Sequence, residues 1–340
     1  MLSRKVASWM AWSILAVGGC EAPNRLNLTF QRGAQLLSAG CPKAAIPFLT
    51  QVIASEPDGP EPHALLALAY ALDLQSDRAV LQAKQVRRPK GAPPGWEAVA
   101  VGIASLVDQR PRQAAEHLEA TVSQFPEGSC LKQATLQWLV LAYACAGEPD
   151  KATDSLQRLA AIDATRLTAS LWAVLLLAHQ QRLPEVSEQL KNAAAEVVVR
   201  APSGSRAYAF AEQDAQELYD TTLALLADGE FDKARSLLEL PKGRPVLPYD
   251  LPVWRALTIA ATGRWRQARS ELDAACQAGS PGCRGVANHL LSVVYALECR
   301  PEAMMASMLA GQRLLGSRHT PAHVVTQLRP EPVWFSDTMK

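Results

Sequence analysis

Gly229-Glu230-Phe231-Asp232-Lys233-Ala234 and, 34 positions later, Gly263-Arg264-Trp265-Arg266-Gln267-Ala268 share one spelling: glycine, any residue, a bulky aromatic, two polar residues, alanine. Each follows apolar residues at helical spacing, Leu218 to Leu226 and Val253 to Ala261, and each opens a second such run, Leu237-Leu238 and Leu272 to Ala275. Glycine has no Cβ, so it can end a helix in the left-handed conformation at little steric cost. The aromatic then wedges into the corner, and alanine is small enough to let two antiparallel helices touch. A helix, a turn and a helix recurring at 34 residues is the pattern of a stacked array, in which each unit buries its apolar face on its neighbours.

Working outward from that alanine, equivalent small positions fall at Ala45, Ala79, Ala114, Ala152, Val186, Ala234, Ala268 and Ala303, with gaps of 34, 35, 38, 34, 48, 34 and 35. A proline closes the unit twelve residues later at Pro57 and Pro126. A small residue stands twelve before at Gly33, Ala67 and Gly102, and an aromatic nine before at Tyr70 and Tyr143. The turn glycine recurs as Gly40, Gly147, Gly229 and Gly263. At these residues the chain resembles the tetratricopeptide repeat family. The resemblance implies an all-α fold of helix-turn-helix repeats stacked into a right-handed superhelical solenoid, and it covers roughly residues 26–316. The fifth unit departs from the pattern, with Val186 for alanine and no turn glycine. So does the eighth, with Glu298 where glycine is expected and Ser307 at a usual apolar site.

These spacings divide the chain. Residues 26–195 form a front block of about five units and 214–316 a rear block of about three. The gap of 48 places extra residues at 196–213, read either as a hinge or as a long inter-repeat loop. Residues 317–340, with three prolines and Trp334-Phe335, form a C-terminal cap or tail.

The N-terminus reads differently. Arg4 and Lys5 precede an uncharged stretch from Val6 to Val17, then Gly18-Gly19-Cys20. Charge, then apolar residues, then small residues is the order of a secretory signal, too short to span a bilayer as a helix. Val17-Gly18-Gly19-Cys20 resembles a bacterial lipobox, which implies that residues 1–19 are removed and Cys20 carries lipid, palmitate included. Residues 20–25 then form the lipidated N-terminus and a short linker. Glu21 is not the aspartate that resembles an inner-membrane retention signal, so the expected address is the outer membrane, facing the periplasm or the cell surface. An ordinary cleaved signal with a chance cysteine is the plainer alternative.

Composition narrows the work the chain can do. Lys+Arg of 34 against Asp+Glu of 33 leaves no surplus of cations for phosphate, so nucleic acid is not expected as a partner. Hydrophobic residues at 49% with only 6% aromatic suit packed helices. There is no Gly-rich phosphate loop, no His-Glu-x-x-His, no Cys-x-x-Cys and no Gly-x-Ser-x-Gly. No cofactor, metal or enzymatic activity is expected. His319 and His323 are four apart, but Pro321 between them argues against one helical face. Of the seven cysteines, Cys276 and Cys283 flank the turn Gly279-Ser280-Pro281-Gly282 and could close a disulfide. Cys130 and Cys145 would lie about 20 Å apart along one helix, too far to bridge.

In the family the first helix of each unit lines a concave groove. Carried onto this sequence, the groove would include Leu68, Leu72, Trp96, Ile103, Leu106, Leu141, Leu175, Leu223 and Tyr295. Such a groove would suit an apolar peptide or helix of another protein. If so, these side chains should be partly exposed on one continuous surface; if the superhelix is tight, they pack on neighbouring helices as core. Arg264, Arg266 and Arg269 cluster at the start of a helix, where the helix dipole disfavours cations, and with Arg255 and Arg284 read as a basic patch or as a solvated face. The function these features imply is a lipid-anchored scaffold that assembles or localises an envelope complex. The alternative is a regulatory or activating subunit of a cell-envelope enzyme.

Overall fold

The computed structural model describes residues 25–88, 94–127, 129–162, 166–200, 210–239 and 250–316. Among them the chain is entirely helical, in eight hairpins. In order these are α1 (Arg25–Ser38) with α2 (Pro42–Ser55), α3 (Pro60–Leu72) with α4 (Ser76–Ala83), α5 (Trp96–Val107) with α6 (Pro111–Val122), and α7 (Cys130–Cys145) with α8 (Pro149–Ala160). There follow α9 (Arg166–His179) with α10 (Leu183–Arg200), α11 (Phe210–Ala227) with α12 (Phe231–Leu238), α13 (Leu251–Ala261) with α14 (Trp265–Ala278), and α15 (Pro281–Leu297) with α16 (Pro301–Gly316). The signal, Cys20, the linker, the middle of the 196–213 insertion and the 317–340 tail lie outside the described residues.

Every hairpin turns the same way. Gly40, Leu74, Gln109, Gly147, Gln181, Gly229, Gly263 and Cys299 all have positive φ, between 53° and 80°. In each turn the next residue donates its N–H to the carbonyl five residues back, from Cys41 to Leu36 through to Arg300 to Tyr295. This is the Schellman closure, which satisfies carbonyls that the helix end would orphan. Proline then starts the second helix at Pro42, Pro111, Pro149 and Pro301, where its missing N–H costs nothing.

The common turn corrects the register of the last unit. The left-handed residue is Cys299 rather than Glu298, so the small-residue slot five positions on belongs to Met304, fully buried, and not to the half-buried Ala303. Val186 does fill its slot, and Gln181 serves where the fifth unit has no glycine. A bulky side chain in the left-handed region costs roughly 1–2 kcal/mol. Leu74 bears that cost while half its side chain meets water, so little packing is lost on its removal. Leu74→Gly should therefore stabilise the protein by about 1 kcal/mol. A urea midpoint that moves down would contradict this.

The two helices of each hairpin are buried differently. In α2, α6, α8 and α14 burial follows one stripe, such as Ala152, Ser155, Leu156 and Leu159, or Ala268, Leu272 and Ala275. These are outer helices with one face to solvent. By contrast α3, α5, α13 and α15 are buried nearly all round, α13 without a break from Leu251 to Leu257 apart from Arg255. A helix apolar on every side needs neighbours on every side. The first and second helices meet through the small positions: a Cβ on Gly33 would stand 2.9 Å from Leu49, and one on Gly102 2.6 Å from Leu118.

Neighbours on every side come from a long-range contact. The inner helix of unit eight, α15, packs against α7 and α9 of units four and five, and α13 of unit seven packs against α9 and α10. The last helix, α16, touches α5, and its Leu309 carbonyl lies so near Gly40 that a Cβ there would stand 2.7 Å away. The concave side of the array is filled by its own last units. Unit six, which follows the insertion, joins the main core through Leu223, Leu226 and Ala234, while Leu238 and Leu251 form a small separate core against Leu218 and Tyr219.

Candidate protein-binding recess

Filling of the concave side overturns the open-groove expectation. Leu68, Ile103, Leu141 and Leu175 are completely buried, and Leu72, Trp96, Leu106 and Leu223 are at most 4% exposed. All belong to the main core except for Tyr295, which is half-buried at its edge. The physical reason lies in the helices that carry them. Apolar residues run round α3, α5, α7 and α9; α15 covers α7 and α9, α16 touches α5, and α3 is enclosed by its neighbouring helices.

Among the described residues, a recess of about 440 Å³ is lined by Trp265, Arg266, Arg269, Ser270, Asp273 and Glu298. Five of these lie on α14 at positions one and four apart, so the helix presents them as one face. Glu298 comes from the turn that ends α15. The Gly263 turn sets where α14 begins and so places Trp265, whose ring meets His179 of unit five edge-on, centroids 5.3 Å apart at 72°. The lining comes from units seven and eight, with His179 of unit five packed against Trp265.

Its charges are unequal in their freedom. Arg269 is ion-paired with Glu298, and its Nε lies 3.9 Å from Asp273. Its guanidinium also sits over the Tyr295 ring, which Arg300 shares at 5.0 Å. Arg300 in turn reaches Glu298 at 3.6 Å. Arg255 is held by Glu271, and Arg284 donates to the Cys276 carbonyl at 3.0 Å. Arg264 donates to the Thr262 hydroxyl at 3.0 Å. Arg266 is exposed and has no ion pair or hydrogen bond among the described residues. Of these five arginines, Arg255 and Arg269 are neutralised by carboxylates, Arg264 and Arg284 donate to neutral oxygens, and Arg266 lines the recess uncommitted.

Two buried ionisable groups lie away from it. Asp250, before α13, is wholly buried; it accepts from the Trp254 indole at 3.2 Å, with the Tyr219 hydroxyl beside it. Burial pushes its carboxyl up to about 6, against the pull of those donors. His289, on α15, has both ring nitrogens buried without a hydrogen-bond partner among the described residues, and burial pushes it down to about 4. Cys276 and Cys283 are free thiols. The turn between them is held instead by Ser280, whose hydroxyl caps α15 by accepting from the Cys283 N–H at 3.2 Å.

Eight Schellman-closed hairpins, six of them with alanine at the helix contact, define the class, an all-helical array of the tetratricopeptide type. No family model and no curated protein matches the chain. Among solved structures, a crystal structure described as the P58(IPK) TPR domain aligns with 88% of this chain and 86% of its own length, at 16% identity and a TM-score of 0.25. The fold rests on the chain's own repeats.

Sequence reasoning missed Asp273 and Glu298 as members of the site and His179 behind Trp265. It also missed that Trp138, Trp172 and Trp254 each stand nine residues before a left-handed turn residue and are among the largest fully buried side chains. The spacing of 34 between the first two was visible and would have marked them as core.

Proposed function

We propose that the chain is a non-catalytic interaction scaffold, anchored by lipid on Cys20 in the bacterial cell envelope, that helps assemble or localise an envelope complex. The carrying observation is Arg266, an unpaired cation beside an aromatic wall and the Ser270 hydroxyl. That combination favours a carboxylate-bearing segment of a partner protein, since a charge-assisted hydrogen bond to guanidinium is stronger than a neutral one. Its neighbour Arg269 is held by Glu298 and Asp273, so the free cationic group of the recess is Arg266. The anchor rests on the order of charge, apolar stretch and Val17-Gly18-Gly19-Cys20. The outer membrane is the proposed destination.

A photo-crosslinking residue at Ser270 should join the protein to a discrete envelope partner in cells. Arg266→Glu should abolish that adduct while leaving the melting temperature unchanged, because the side chain supports nothing in the fold. An adduct indifferent to the charge reversal would contradict the recess. Labelled palmitate should enter the wild-type chain and not Cys20→Ser, and a wild-type chain without label would remove the anchor.

A further inference from the structure

Unit eight reaches back to unit four across 154 residues of sequence, and a sulfur stands on each side of the seam. Cys145 ends α7; Cys299 is the turn residue between α15 and α16. The Cys299 Sγ lies 3.1 Å from the Cys145 carbonyl oxygen, and the Cys145 Sγ lies 3.9 Å from the Met304 Sδ, one turn into α16. Both thiols are free, Cys145 buried and Cys299 exposed.

The geometry points to Cys145 and Cys299 as a modification site, a reversible disulfide that staples the last unit to the fourth. Cys299 occupies the turn position that glycine holds in four other units, at φ 53°. A side chain there carries a conformational cost, and this one repays none of it by burial. What it does is place a sulfur against the end of α7. The packing of α15 on α7 already fixes the two cysteines relative to each other. Closing the bond would therefore restrict the unfolded chain far more than the folded one.

The chemistry needs an oxidant, and a low-molecular-weight disulfide such as oxidised glutathione suffices. The exposed Cys299 thiolate attacks one sulfur of the oxidant, forming a mixed disulfide and releasing one glutathione thiolate. Cys145 then gives its proton to water and attacks the Cys299 Sγ, which expels the second glutathione thiolate. The two protein thiols lose two electrons and two protons, and the oxidant takes up the electrons as two thiols. Burial first, and the nearby Cys299 second, push the Cys145 thiol up to about 12. Its attack is accordingly the slow step, and ring closure should quicken about tenfold per pH unit near neutrality.

The test treats the full chain with oxidised glutathione, blocks remaining thiols with iodoacetamide, and maps the digest by mass spectrometry. The expected result is a linked pair of peptides carrying 145 and 299, with the loss of two hydrogens. A bond between Cys276 and Cys283 would appear as a different pair. The oxidised form should melt roughly 5 °C higher, given the length of the closed loop, and dithiothreitol should reverse the shift. Cys299→Ser, at an exposed position, should remove both the link and the shift. Glutathione retained on Cys299 without closure, alkylation of both cysteines after prolonged oxidation, or a link that leaves melting unchanged would each overturn the staple.

Discussion

Leu141→Glu with Leu175→Glu should abolish the cooperative melt at pH 7. Both leucines are fully buried, one on α7 and one on α9, the two inner helices against which α15 packs. Each substitution removes a packed leucine, worth roughly 2–5 kcal/mol in truncation. Each also buries a carboxylate in an apolar core, at a further cost of several kcal/mol. Two such losses are comparable to a whole domain's stability of about 5–15 kcal/mol. Circular dichroism would show a broad, low-temperature loss of helix. A sharp transition near the wild-type temperature would mean that the side chains line a surface, as an open groove requires.

The second large effect is hidden in the wild type, because two buried groups oppose each other. Native His289 is pushed down to about 4 from 6.5. Between those values the unfolded chain binds the proton and the native one does not, so stability is lost as pH falls. Native Asp250 is pushed up to about 6 from 3.8. Between those values the native carboxyl keeps its proton and the unfolded one does not, so stability is lost as pH rises. At about 1.4 kcal/mol per pH unit, each slope is worth roughly 3 kcal/mol and they nearly cancel. Measured against wild type, His289→Leu should gain about 3 kcal/mol as pH is lowered from 7 to 4. Asp250→Asn should gain about as much as pH is raised over the same range. Parallel stability curves for the two variants would show that neither group is buried as described.

The contrast between these groups and the turn glycines shows what the sequence makes legible. A left-handed turn needs glycine, or a residue paying for its absence, and a fixed spacing repeats that need, so Gly229 and Gly263 carry the hairpin openly. Where Leu74, Gln109, Gln181 and Cys299 take the position instead, the signal disappears, and the eighth unit is misplaced by one residue, to Ala303 in place of Met304. Leu141 and Leu175 posed a harder question. An apolar side chain at a groove position reads the same whether a partner or the chain itself covers it. What covers it is α15, more than a hundred residues away, and nothing local in either segment announces the pairing. The recess was half legible for the same reason: Arg266 and Arg269 stand out in a run of arginines, whereas Glu298, which neutralises one of them, arrives from another helix.

The central claim is that the last units fill the concave side of the array, and amide hydrogen exchange along α15 tests it most directly. In an open solenoid, terminal repeats have one neighbour and open first. Packed against α7, α9 and α13, the amides of α15 from Val286 to Val294 should exchange as slowly as those of α7 and α9, the slowest in the chain. Exchange in α15 markedly faster than in α7 and α9 would contradict the closed array.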